Sequence, residues 1–487
     1  MLITVLAMVT LSVASCRGVP TAGGGGDGGG NSTLSLTMTD TPPAGASILS
    51  FKVTVTGVTL TPSSGTQVNL TLSPGTPIIE LTHLQTDSAF LGTSTVPSGN
   101  YTSATVSFTS PDIVLFNQTA GALTGATAAC PINAVCEFKP AASATIKLST
   151  TPFPISLTAS EQTGLSLDFN LNNAITMTNG AISVDFTQPN VLNVTSLPRT
   201  GAPSGSLDLI EDFSGVITTI SGNSVTVRSD TKGMITAVVN SSTTFNIDST
   251  VCSAQNITCL GANKTVSIDA SLNLDGTMTV LEADLLDNVS VDEVEGVVTS
   301  VNTSAQQISL VLSDKTVVSG NALLTAATAG TIVQATLGTS PTFSVDTKGL
   351  NAVISSSPGD IADFASITNV FAGQTVRMQV TNPTAGSNSS VLVNTNSVVL
   401  RFSRVTAAVS IAPASPFFSV SASTLPSFLG GLNGAVNVPV QVSSGQTNFD
   451  GVTDITGLNV GDSVSVRALY IPNFLTSPFF AAKVRKH

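Results

Sequence analysis

The sequence predicts an all-β protein, with a β-sandwich on the N-terminal side followed by a tandem of smaller β-units. Three observations lead there. Charged residues are 9% of the 487 residues, against about 25% in an average chain, and Ser, Thr, Gly, Asn and Val fill the deficit. Thr and Val suit pleated, half-buried surfaces, while Gly, Pro and Asn supply turns. Runs that alternate with period two recur, broken by turn signals about 8–12 positions apart, as in a sandwich. The chain is too long for one core, and roughly 150 residues per domain implies three or four units.

From the N-terminus, Leu2 to Val13 is an apolar run of twelve residues. A bilayer span needs about 20, so the run suits the core of an export signal instead. It ends in Val13-Ala14-Ser15-Cys16, which resembles the lipobox of bacterial lipoproteins. The resemblance implies that residues 1–15 are a signal peptide, cut before Cys16, and that the Cys16 sulfur carries diacylglycerol. No Lys or Arg precedes the apolar run, unlike most signal peptides, which leaves open whether Met1 is the true start. Position 17 is Arg rather than the Asp associated with inner-membrane retention, which favours the outer membrane. Residues 16–32 continue into the glycine-rich stretch Thr21 to Asn31, a flexible coil with a reach of about 20–25 Å. Together these imply an exported protein, lipid-anchored to a bacterial membrane and facing the periplasm or the surface.

Residues 33–200 read as the sandwich. Thr33 to Thr39 and Ile48 to Leu60 alternate as half-buried strands do, and further strands are expected at 67–72, 102–108, 144–148, 165–171 and 181–186. Ile78 to Gln85 reads as a single helical turn. Three elements, Thr39-Asp40-Thr41-Pro42, Leu81-Thr82-His83-Leu84-Gln85 and Val96-Pro97-Ser98-Gly99-Asn100-Tyr101, follow the order T-D-x-P, L-x-x-L-Q, V-P-x-G-x-Y. In this the segment resembles a domain family of unknown function common in bacterial and archaeal lipoproteins. The resemblance implies a prealbumin- or Ig-like sandwich and no known reaction. In the last element Pro and Gly make a turn, and Tyr101 opens the next strand with its ring against the core.

Self-comparison finds related units at 207–289, 290–402 and 403–487. They open at Gly215, Gly296 and Arg404. In the first two a hairpin follows, turning at Ser229 to Gly233 and at Ser313-Asp314-Lys315. Thr244-Phe245 and Asn448-Phe449 mark the first and third units. Each unit closes with a glycine turn and a strand, at Gly261, Gly373 and Gly461, then a last strand, at 278–285, 391–402 and 479–484. The second also has an insertion around 321–363. The units resemble a second bacterial family of unknown function, whose repeats look like small OB-like β-barrels. The expected fold is therefore about three such barrels after the sandwich, and barrel closure would remove exposed strand edges.

Cysteine and charge set the chemical limits. Cys130 and Cys136 are six apart and Cys252 and Cys259 seven apart, so two local disulfides in an oxidising compartment are expected. Two histidines are too few for metal binding to compete well with that reading. The net charge of −12 gives no footprint for nucleic acid. Residues 205–302 hold thirteen acids against three bases, whereas the chain ends basic, in Lys483 to His487. Solvated faces and a loose tail are the expected reading; a cation site in the middle and anion contact at the end are the alternatives.

Catalysis has one realistic base, His83, with Glu80 or Asp87 nearby. Ser229-Asp230-Thr231-Lys232 spells S-x-x-K, but no K-T-G or S-D-N accompanies it, so it reads as a hairpin turn. Asp284, Asp287, Asp292, Glu293 and Glu295 could supply oxygen ligands to a cation between the first two barrels, although a solvated linker fits them better. Phe417, Phe418, Phe428, Phe474, Phe479 and Phe480 are expected in the core rather than on a partner surface. No cofactor is implied. The expectation is a non-enzymatic binding, scaffold or adhesion module, with a protein or glycan partner in the envelope. The alternatives are a cell-envelope hydrolase acting through His83 and a calcium-dependent adhesin.

Overall fold

The computed structural model describes residues 29–42, 47–178, 180–199, 202, 204–247, 252–286, 291–348, 350, 362–432, 434–474 and 477–487. The apolar run, Cys16 and Asp287 lie outside the described residues. The chain is all-β, and its buried apolar side chains gather in four clusters.

The first cluster fills a two-sheet sandwich. One sheet orders Leu192–Leu197, Gln162–Asn170, Asn31–Thr41 and Ala89–Pro97, with the middle two strands parallel. The other is built on Ile48–Pro62 against Gly99–Phe116. Leu34, Leu36 and Met38 face the core, as their alternation requires. The opposite face was expected to meet solvent, yet Ser35, Thr37, Thr39 and Ser166 are buried too. Ser35 Oγ lies 3.0 Å from Thr93 Oγ1, which reaches the Gly276 carbonyl of the first barrel at 3.3 Å, while Thr39 and Ser166 accept from Arg199. Gly276 has φ +79°, and a Cβ there would stand 2.6 Å from the Thr93 methyl, so this turn must be glycine. The V-P-x-G-x-Y element behaves as its residues demand: Tyr101 is 2% exposed and its hydroxyl donates to the Pro97 carbonyl at 2.7 Å.

After the sandwich, one order of pairing occurs in three stretches. Strand one (Ser206–Ser221) pairs with strand two (Ser224–Arg228) and strand four (Thr265–Asn273). Strand two pairs with strand three (Met234–Val238), and strand four with strand five (Met278–Leu285). Strands three and five close the ring in parallel at Val238 and Thr279. The same circuit runs through Asp292–Asn302, Gln307–Thr316, Ile332–Val345, Thr375–Ala385 and the first part of Val391–Ala414. It runs again through the rest of Val391–Ala414, then Phe417–Ser421, Asn437–Val442, Ser463–Tyr470 and Phe479–Lys486. This is a five-stranded Greek-key closure. The markers at Phe245 and Phe449 sit on short strands parallel to the fifth strand of their units.

Four expectations change. Ser313-Asp314-Lys315 is not a turn but the end of strand Gln307–Thr316, held extended by pairing with Glu293 to Glu295, while Lys315 Nζ donates to the carbonyls of Leu324, Thr325 and Ala327. Much of the supposed insertion is strand Ile332–Val345, which pairs on both sides. The boundary at 402–403 falls inside Val391–Ala414, a single strand that serves both barrels. The basic end is no loose tail: Lys483 is 5% and Arg485 3% exposed, in the last strand. Of the phenylalanines in the third unit, Phe418, Phe479 and Phe480 are buried. Phe428 packs 5.7 Å from Phe116 of the sandwich.

Both expected disulfides are present, Cys130–Cys136 and Cys252–Cys259. Each closes a loop small enough to contribute about 2 kcal/mol by restricting the unfolded chain.

Candidate functional site

The turn Leu81–Gln85 and the residues after it form the hub on which the units converge. Glu80 builds the turn. Its Oε1 accepts from the Phe51 amide at 2.7 Å and the Thr82 amide at 3.1 Å, and burial pushes its carboxyl up. The third barrel then plugs into the outer side. Arg485 donates to the carbonyls of Leu84 (2.8 Å) and Asp87 (2.9 Å), and Thr406 Oγ1 donates to Gln85 Oε1 at 2.9 Å. The L-x-x-L-Q element is thus a docking plate for the C-terminal unit.

Around it the charges of a charge-poor chain come together. Asp87 of the sandwich accepts from Arg404 at 2.6 Å and faces Arg467 at 3.6 Å. Asp212 of the first barrel holds Arg467 at 2.7 Å, Lys348 of the second barrel at 2.6 Å and Arg404 at 3.5 Å. Glu211 pairs with Lys483 and lies 3.8 Å from Arg467. Arg485 pairs with Asp450 at 2.6 Å, and Arg199, next to the sandwich, reaches Asp450 at 3.5 Å. Burial alone would raise Asp87, but Arg404, Arg467 and Lys483 outweigh it and hold the carboxyl below its usual range. Asp212 is depressed in the same way: burial is outweighed by Lys348, Arg467 and Arg404. Asp269 goes the other way, to about 7, through burial and the nearby charges of Asp212 and Glu211.

The sequence's charge asymmetry is therefore a code for assembly. The acidic first barrel takes its counter-ions from the basic strands of the later barrels. Arg404, Arg467, Lys483 and Arg485 were not singled out from the sequence as site residues. Their signal was a basic chain end combined with a long acidic stretch.

His83 stands between two small cavities of about 80 and 40 Å³. Its Nδ1 is buried without a hydrogen-bond partner. The two carboxylates expected to orient it are engaged elsewhere, Glu80 with backbone amides and Asp87 with Arg404. Burial, with Arg404 and Lys232 adding to it, lowers the imidazole pKa to about 3. A base that weak is nearly always unprotonated at neutral pH and has little drive to accept a proton. In a His487→Gln variant, where His83 is the one remaining imidazole, its ring proton resonance is expected to stay fixed from pH 8 to pH 5. A titration centred near 6.5 would overturn this environment.

The acidic residues considered for a cation are drawn apart. Asp284 faces Lys348 at 3.5 Å; Asp292 accepts from the amides of Val318 and Ser319, each at 2.8 Å. Glu293 takes Gln379 at 3.4 Å, and Glu295 sits between Arg377 (2.9 Å) and Arg401 (3.3 Å). Among the described residues no three His, Cys, Asp or Glu side chains are grouped to hold a metal ion. The S-x-x-K stretch is a turn, closed by the Ser229 amide on the Gly233 carbonyl at 2.8 Å, and Lys232 donates to the Asp212 carbonyl. No helix among the described residues is long and apolar enough to cross a membrane.

Comparison with curated proteins and with solved structures finds no match. Residues 31–185, which hold the hub turn and all of the sandwich but its strand Leu192–Leu197, match the family model described as Domain of unknown function (DUF4382).

Proposed function

We propose that the protein is a lipid-anchored, non-enzymatic scaffold or binding module displayed in a bacterial cell envelope. The observation that carries this reading is the buried ion network, which joins the sandwich and the three barrels through Asp87, Asp212, Lys348, Arg404 and Arg467. Its ionised groups are engaged with one another, an arrangement that makes a firm body for display and leaves them unavailable for acid–base work. The lipobox-like Cys16 and the glycine-rich stretch behind it supply an anchor and a tether in this reading, and two disulfides suit an oxidising compartment. Units resembling a second family of OB-like repeats would extend the display surface.

Intact-mass analysis of the membrane-fraction protein tests the proposal. The expected species begins at Cys16, carries acyl chains and is about 4 Da lighter than its reduced form, for two disulfides. An unprocessed, soluble species with free thiols would overturn it.

A further inference from the structure

A second feature lies away from the hub: a cleft of about 730 Å³ between the sandwich, the first barrel and the second. That is a ligand-sized volume. Its walls have two characters. Ile78, Val216 and Val318 line it and are 46%, 42% and 41% exposed, so aliphatic surface from all three units meets the same open space. Lys52, Arg228, Lys264 and Lys315 line it as well, against two carboxylates, Asp230 and Asp314. Among the described lining residues four cations face two acids, and with Asp112 pairing Lys52 the cleft still keeps a positive excess in a chain of net charge −12.

The cations divide by task. Lys52 is tied to Asp112 at 3.0 Å and to the Ala329 carbonyl at 2.7 Å, and Lys315 holds three carbonyls. These two fix the walls. Arg228 and Lys264 are exposed, and neither side chain has a partner among the described residues. Register brings the free charge to the apolar wall: Val216 lies directly across from Arg228 on one side and Thr265 on the other. Directly opposed residues share a face of the sheet, so Arg228 and Val216 project together from the barrel, and Lys264, in the turn before Thr265, lines the same cleft.

From this pairing of an aliphatic wall with two unneutralised cations, we infer that the cleft binds a monomeric anionic amphiphile, a single aliphatic chain with a carboxylate or phosphate head. The chain lies along Ile78, Val216 and Val318, and the head is held by Arg228 and Lys264. Among the described residues no aromatic side chain lines the cleft, which disfavours a sugar held by ring stacking. This goes beyond the display reading and does not depend on where the protein is anchored.

The test is isothermal titration of the purified full chain with decanoate and decyl phosphate, both below their micelle concentrations. One-to-one binding is expected, weakening with salt because the cations are exposed. Arg228→Ala/Lys264→Ala, at exposed positions, is expected to weaken it at least tenfold with an unchanged circular dichroism spectrum. Val216→Ser is expected to weaken decyl phosphate but not inorganic phosphate. The inference fails if neither amphiphile binds, if the double variant binds as tightly as the parent, or if inorganic phosphate matches decyl phosphate. Binding to anionic vesicles without binding of the monomers would also overturn it, pointing to a membrane surface instead.

Discussion

Replacing Arg467 by methionine is expected to cost about 3–5 kcal/mol of stability at pH 7, the usual range when one partner of a buried ion network is removed. The side chain is 8% exposed and faces Asp212 at 2.7 Å, Asp87 at 3.6 Å and Glu211 at 3.8 Å. Its guanidinium also lies 5.6 Å from the centre of the Phe402 ring. Methionine keeps much of the packing, so the loss reports charge left unbalanced. Urea unfolding gives the magnitude, and adding Asp87→Asn is expected to recover part of it, because the abandoned carboxylate is then gone. A loss below about 1 kcal/mol would mean that water already neutralises the network. The pH dependence has a fixed sign. Asp87, Asp212 and Glu295 (about 2) titrate below their unfolded values. The stability they contribute is present above about pH 4 and is lost as pH falls through the folded values. In Arg467→Met that acid-side slope becomes shallower.

Asp269→Asn has the opposite expectation. Asp269 titrates near 7 in the folded protein, against about 4 when unfolded, so the folded state binds the extra proton between these values. Stability is therefore lost as pH rises from 4 to 7. Asparagine keeps the acceptor for the Asp212 amide, which lies 2.7 Å from Asp269 Oδ1, and abolishes the titration. The variant is expected to be more stable than the parent at pH 8, by up to about 4 kcal/mol, with the two converging near pH 4. Urea melts at pH 4, 6 and 8 measure this; a difference independent of pH would remove the assignment.

Much of the fold was legible because strand alternation is a local property. Leu34-Ser35-Leu36 carries its period whatever surrounds it, and the Val-Pro-Ser-Gly-Asn-Tyr turn is made by its own residues. The expectation erred where a partner distant in sequence decided the outcome. Ser35 read as solvent-facing because the barrel turn that covers it, at Gly276, lies far along the chain. Ser313-Asp314-Lys315 has turn composition but is held straight by its pairing with Glu293 to Glu295 of the neighbouring strand. Arg485 looked like part of a solvated tail, since no local pattern shows that its guanidinium ends on Leu84 and Asp87 carbonyls some 400 positions earlier. The hub was half legible: His83 and its neighbours were noticed, but as chemistry, whereas these neighbours form an attachment point.

The strand common to the second and third barrels bears on how the molecule transmits load. Val391–Ala414 leaves one barrel and enters the next without an intervening loop, and Leu469, Ile471 and Phe480 of the third pack into the core of the second. There is no swivel at that joint. Torque applied to the far barrel reaches its neighbour as through a single rod, so whatever the third barrel meets is met at a fixed angle to the rest of the molecule.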